Sequence, residues 1–366
     1  SSWTLVQGDL NVNAGGTLDY GSEADPIPAS INAHLILSSG TAAGRYGLIV
    51  NNGGNFTVRG STKTPYSYAT QGITTSDTSL MVYGSTSTDG WQAGDAITIG
   101  PTSGNGAATT ASRTITSITG GPLYTINWSG GTLPQARVFT STSPILVANL
   151  TRNVLVRSSG TTVNGDGGNS AYLRNLAQNA TSFSLAYGEF AHLGADLASK
   201  FGLTFDGAGI RGMISSSTVR NGHVGIYLEG SSNNTLTGNN SCFNSSHGIW
   251  LNNASNNTIG SNDSYANAGN GIFLDNSSSN NSLAGNNSFS NSGSGIRLSG
   301  SENNILTGNN TFSGGSEGIY LNGTSDSNIL QGNNSYSNTA DGAYLLYSNN
   351  NTLAGNTAAN NAEDGI

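Results

Sequence analysis

The sequence predicts an all-β protein: a right-handed parallel β-helix with three strands per rung, preceded by a β-rich N-terminal region. The main reason is a Gly-apolar-x-apolar unit that recurs at Gly202, Gly225, Gly248, Gly271, Gly295, Gly318, Gly342 and Gly365, each 23 or 24 residues after the last. Two further apolar blocks keep the same period. One runs through Leu236, Ile259, Leu283, Leu306, Leu330 and Leu353, the other through Cys242, Tyr265, Phe289, Phe312, Tyr336 and Ala359. Composition agrees: 52 of 366 residues are glycine and only 9% are charged, against roughly a quarter in an ordinary domain. The regular return of apolar residues separates this chain from a disordered one.

Each block is four or five residues long and alternates with period two, which suits strands and is too short for helices. Three such strands make one rung, and rungs stack at about 4.8 Å, so equivalent residues form ladders. Ile226, Ile249, Ile272, Ile296 and Ile319 are expected to fill the interior beside the leucine and aromatic ladders. Asparagines recur at Asn234, Asn257, Asn281, Asn304, Asn328 and Asn351, and again at Asn239, Asn262, Asn286, Asn309, Asn333 and Asn356. Asparagine suits a corner because it tolerates left-handed backbone angles and its amide can bond the amides above and below. The glycine before the second ladder, as at Gly238 and Gly285, is expected to serve the same corner.

Residues 1–145 lack the period but remain strand-and-turn sequence, as in His34-Leu35-Ile36-Leu37 and Gly53-Gly54-Asn55-Phe56-Thr57-Val58. The expected division is a β-rich domain over 1–145, a junction with irregular rungs over 146–200, and regular repeats over 201–366. Trp91 to Ile99 reads W-x-x-GD-x-I-x-I, Arg113 to Ile118 reads R-T-I-T-S-I, and a junction L-T-R-N-V follows at Leu150 to Val154. With the paired glycines, these elements make residues 3–160 resemble the eight-glycine domain of hyaluronan-degrading and fibrocystin-like proteins, which implies a β-domain followed by a β-helix. The later repeats resemble those of pectate-lyase-like enzymes and of many non-enzymatic surface proteins. Where the hyaluronan-associated relatives carry a histidine-containing segment, this chain reads Lys200-Phe201-Gly202-Leu203-Thr204-Phe205-Asp206. That departure removes the expectation of the family's activity.

Candidate chemistry is sparse. A mixed-charge group near the domain junction comprises Glu189, His192, Lys200, Asp206, Arg211, Arg220 and His223; Asp206, His192 and His223 are the catalytic candidates if the chain is an enzyme. Glu229 and Asp275 occupy equivalent positions with Asn252 between them, and Glu317, Asp341 and Asp364 form another acidic column. Neither column shows a basic partner in the repeat. Tyr227, Trp250, Phe273, Tyr320 and Tyr344 share a column interrupted by Arg297. Their parity is opposite to the isoleucines, so they are expected outside, as a surface for sugars or for another protein. Among many N-x-S/T sequons, Asn253, Asn276 and Asn322 beside this column are the candidate glycan acceptors.

A net charge of −8 argues against nucleic acid as a partner. One cysteine makes no internal disulfide, four dispersed histidines suggest no metal cluster, and no cofactor is implied. No apolar run is long enough for membrane insertion. The start at Ser1-Ser2-Trp3 fits a processed, exported chain. The sequence ends at Asp364-Gly365-Ile366, inside a new rung, which suggests either further chain or self-association. Two functions follow as expectations. The first is a non-enzymatic structural or adhesive element of a cell surface or extracellular fibre. The alternative is a polysaccharide-binding or depolymerising protein.

Overall fold

The computed structural model describes residues 2–4, 8–83, 90–102, 110–140, 144–163 and 168–366; every regular element among them is a β-strand. The chain winds as a right-handed parallel β-helix. Each turn visits three parallel sheets, here called A, B and C, with 11, 10 and 10 strands. The first rung is Ser2–Thr4, Leu10–Val12 and Thr17–Tyr20, and the second is Ala33–Leu37, Gly47–Val50 and Asn55–Arg59. The third, Val154–Ser158, Tyr172–Asn175 and Phe183–Ala186, stacks directly on the second, with Val154 opposite Ala33.

The expected 1–145 domain therefore divides in two. Its first part is helix, hidden from the repeat because the early corners are long: Leu10 pairs with Leu48, and Gly47 N–H donates to Asp9 Oδ1 across 38 residues. Its second part is an insertion between residues 59 and 154, whose strands are Tyr66–Tyr68, Ser79–Tyr83, Ala96–Ile99, Ala111–Gly120, Leu123–Ser129 and Leu146–Asn149. They pair antiparallel. The two edge strands meet through an Ala69–Val82 bridge and a 2.9 Å hydrogen bond from Thr70 N–H to Met81 C=O. This contact closes the sheet among the described residues, around a separate core of Ile97, Ile99, Ile115, Ile126, Trp128 and Val147. The insertion is a small barrel.

Inside the helix, alternation works as expected: Ile226, Ile249, Ile272, Ile296 and Ile319 lie in register and are 0–2% exposed. The repeated glycine is required by close approach. A Cβ at Gly248 would stand 1.9 Å from Ser264 Oγ and 2.8 Å from Gly271 O, atoms that bond each other at 2.7 Å. The asparagine ladders are buried and continuous; Asn239 Nδ2 donates to Asn262 Oδ1 and Asn262 Nδ2 to Asn286 Oδ1, each at 3.0 Å. The left-handed residue is the one before each ladder position, such as Asn256 (φ 58°) or Gly285 (φ 64°), rather than the ladder asparagine itself. A third ladder, including Asn244, Asn267, Asn291 and Asn338, caps the remaining corner.

The aromatic ladder is not in the interior. In sheet A the inward residue is the small one, for example Ser264 or Ser288, so Tyr265, Phe289, Phe312 and Tyr336 point outward. They stack at 4.7–4.9 Å with planes 2–8° apart and are buried with Leu146, Ala148 and Leu150 of the barrel end. Polar contacts order the barrel side of this seam, and Arg152 bonds across it to Ser216. Lys63 Nζ lies 2.7 Å from Asp95 Oδ1 in a buried pair, and Asn149 Nδ2 donates to Asp95 Oδ2 at 2.8 Å. The Arg152 guanidinium donates to the carbonyls of Asn149 (3.0 Å), Thr151 (2.9 Å) and Ser216 (3.0 Å).

Candidate functional site

With sheet A covered, the open face carrying charge and aromatics together is the outer side of sheet B. Its first column runs through Arg174, Thr204, Tyr227, Trp250, Phe273, Arg297, Tyr320 and Tyr344, in register throughout. The second, two residues further along each strand, contains Asp206, Glu229, Asn252 and Asp275.

Asp206 and Glu229 are directly paired, which places two carboxyls on neighbouring rungs about 4.8 Å apart at the backbone. Arg174 Nε donates to Asp206 Oδ2 at 2.5 Å, and its terminal nitrogen bonds the same oxygen. This arginine is the basic partner that the repeat did not reveal. Partial burial raises the Glu229 pKa above the usual carboxylate value, Asp206 adds to the shift, and Arg174 and the Tyr227 hydroxyl oppose it. One carboxyl thus has a cation beside it and the other is shifted upward by burial, a difference suited to acid–base work on a ligand lying across the rungs.

The aromatic column departs from the expected exposed stripe. Tyr227 is 1% exposed, because Phe201 and Trp250 close over it at 4.9 and 4.8 Å; its hydroxyl accepts from Asn252 Nδ2 at 2.8 Å. Phe273 is buried as well, stacked on Trp250 and covered by the Arg297 guanidinium 5.4 Å above its ring. Trp250 and Tyr320 are half-buried and Tyr344 is exposed. Rings stacked along the helix axis present edges more than faces outward, so what is open here is an aromatic ridge with Arg297 between Phe273 and Tyr320.

The other candidates do not converge on this pair. His192 and His223 sit at the corner entering sheet B, whereas Asp206 ends a sheet B strand. His192 has an unpartnered Nδ1, and burial lowers its pKa. His223 stacks on Phe201 at 5.8 Å, contacts Ser245 Oγ at 3.2 Å and has Asp196 3.7 Å away; burial lowers its pKa and Asp196 partly restores it. The junctional charges also disperse. Glu189 pairs with Arg220 on sheet A, and Lys200 Nζ donates to Gly44 O at 2.8 Å over the Tyr172 ring. Arg211 offers its carbonyl to Asn175 Nδ2 at 3.0 Å. Asn253 and Asn276 are exposed, while the half-buried Asn322 amide is engaged with Arg297.

Sequence reasoning missed two residues here. His247 lies against Trp250 and Phe273, and its Nδ1 accepts Asn270 N–H at 2.9 Å; its place just before Gly248 was the available signal. Arg174 had no signal, because the long corner after its strand takes it out of the 23-residue register. The Asp206–Glu229 pairing was legible, since both residues fall on one column of the period.

The profile of a family described as "Periplasmic copper-binding protein (NosD)" matches residues 135–312 and 279–366, together more than half of the chain. This chain belongs to the NosD family. Copper is suited by convergent imidazole, thiolate or thioether donors, and the described residues of this NosD-family chain do not fit such a centre. Among the described residues no group of three or more His, Cys, Asp or Glu could hold a metal ion. Cys242 is buried beneath the barrel with its thiol pushed up to about 12, and the Nδ1 lone pair of His247 is already used. None of the curated proteins matches the chain. Among solved structures, the periplasmic alginate epimerase AlgG is 13% identical over 96% of this chain and 76% of that one, with a TM-score of 0.48. A single-site mutant of the same epimerase aligns at 22% identity over 56% of this chain and 54% of that one, TM-score 0.46. The Dettilon tailspike protein (gp208) aligns at 13% over 98% and 55%, TM-score 0.45. The chain therefore spans about half the length of the latter two, and these likenesses concern the fold. No helix among the described residues is long and apolar enough to cross a membrane.

Proposed function

We propose that this NosD-family chain is an exported protein that binds an acidic polysaccharide along the outer face of sheet B and performs acid–base chemistry on it at Asp206 and Glu229. The observation that carries the reading is the in-register carboxyl pair: Asp206 is held by Arg174, Glu229 is shifted toward its protonated form, and an Arg297-bearing aromatic ridge continues along the same face. Paired carboxyls about 5–10 Å apart serve glycosidic cleavage, and Arg174 and Arg297 suit a ligand bearing carboxylates of its own. Export is proposed because the family's description is periplasmic. The eight-glycine resemblance contributes nothing to this reading, since the strands it covers are shared between two rungs and the barrel. A polysaccharide role is favoured over a purely structural one because the carboxyl pair, its arginine and the aromatic ridge lie together on one face of the helix that the barrel does not cover.

The test is calorimetric titration against polyuronates and neutral glucans, with reducing ends and unsaturated uronate followed in the same samples. Binding to polyuronate is expected to weaken about 10-fold or more in Arg297→Ala, while Glu229→Gln retains binding and abolishes turnover. Absence of affinity for any acidic polysaccharide would overturn the proposal; binding without turnover would remove its catalytic half.

A further inference from the structure

The outer face of sheet A carries a polar ladder beneath the barrel, through Thr218, Asn240, Asp263, Asn287, Asn310 and Asn334 in register. Its upper part is continuous. Asn334 Nδ2 donates to Asn310 Oδ1 at 3.0 Å, Asn310 Nδ2 to Asn287 Oδ1 at 2.8 Å, and Asn287 Nδ2 to Asp263 Oδ1 at 2.8 Å. There the chain of donors stops. Asp263 and Asn240 are both 0% exposed, and two of their atoms, Asp263 Oδ2 and Asn240 Oδ1, have no partner. The Asn240 amide nitrogen is committed to the barrel side, donating to Asn149 O at 3.0 Å and Pro65 O at 3.2 Å.

Two buried acceptors on paired residues cannot satisfy each other, and a buried carboxylate without a cation is costlier still. A single proton resolves both deficits. We propose that Asp263 is a neutral carboxylic acid whose Oδ2–H donates to Asn240 Oδ1, standing in for an asparagine in the ladder, and that losing this proton loosens the barrel from the helix.

The surroundings agree. Tyr66 and Tyr68 face Asp263 from the barrel, and Tyr265 and Cys242 from sheet A; all four are pushed up by burial and stay neutral where Asp263 titrates. Of the seam's cations, Lys63 pairs with Asp95, Arg220 with Glu189, and Arg152 donates to the carbonyls of Asn149, Thr151 and Ser216; none of the three bonds Asp263. Burial moves the Asp263 carboxyl from 3.8 to about 8, against a smaller opposing pull from the Asn287 bond. Because the folded value is the higher one, the stabilisation is complete below the ordinary aspartate range, declines as pH rises, and is gone above about pH 8.

Carboxyl carbon chemical shifts of aspartate-labelled wild-type protein read the protonation state without a variant. One aspartate titrating near pH 8 is expected, and all aspartates ionised by about pH 5 would overturn the proposal. Hydrogen exchange at residues 66–68 and 146–149 reads the clamp. After correction for the chemical rate, opening is expected to rise about 10-fold or more between about pH 5 and pH 8 in wild type, to level off above that, and to stay flat in Asp263→Asn. The same rise in Asp263→Asn would refute the link between proton and barrel.

Discussion

His247 shows how much one side chain in this fold is determined by its neighbours. Wedged against Trp250 and Phe273, with Nδ1 accepting from the Asn270 amide, it stays neutral, and burial lowers its pKa to about 4. The folded value lies below the unfolded one, so its contribution is whole above about pH 6.5 and is lost as pH falls toward 4. Denaturant titrations at a series of pH values should show a loss of roughly 2–3 kcal/mol over that window, smaller in His247→Gln. Single positions were unevenly legible in the sequence. Gly248 announced itself by recurrence, although the Ser264 hydroxyl that forbids a side chain there is visible only in three dimensions. The burial of Tyr227 was not legible, because its cover, Phe201, comes from a neighbouring corner rather than from its own column.

At the scale of the strand and its corner, the asparagine ladders are the feature read most fully from sequence, since stacking follows directly from period. Asn286 shows what each contributes: its Nδ2 donates to Ile259 O at 2.8 Å and Asn309 Oδ1 at 2.9 Å, while its Oδ1 accepts from the Asn262 backbone at 2.9 Å. Asn286→Ala strands these buried groups and should cost about 2–4 kcal/mol in chemical denaturation, well above the effect of a surface alanine. The sheet A strands were read with the wrong parity. In N-S-F or N-S-Y the large aromatic looks like the core residue, yet the serine points inward, because its hydroxyl must reach the carbonyl of the repeat glycine, as Ser288 does with Gly295 at 2.7 Å. No local pattern shows that a distant insertion will cover the aromatic side.

Over the whole molecule, stability depends on two cores and the seam between them. Phe289→Ala removes the middle of the stacked ladder facing the barrel and should cost about 3–5 kcal/mol. Limited proteolysis should then cut within 60–150 before the helix, whereas equal resistance of both parts would mean that the ladder does not secure the barrel. The helix was legible from Gly202 onward because its corners are short and uniform. The earlier rungs were obscured where corners lengthen and where the barrel stands between the second and third rungs.

That interruption begins and ends at one place. Ser61 N–H donates to Asn153 Oδ1 at 2.8 Å, so departure and return are neighbours, and the rung resumes as though nothing had intervened. The solenoid is therefore indifferent to the length of what is threaded through that doorway. Joining residue 60 to residue 153 would leave every coil in place and a bare strip of rings along one side. Whatever replaced the barrel would have to shelter that strip, so the exchange is free in topology but constrained by solubility.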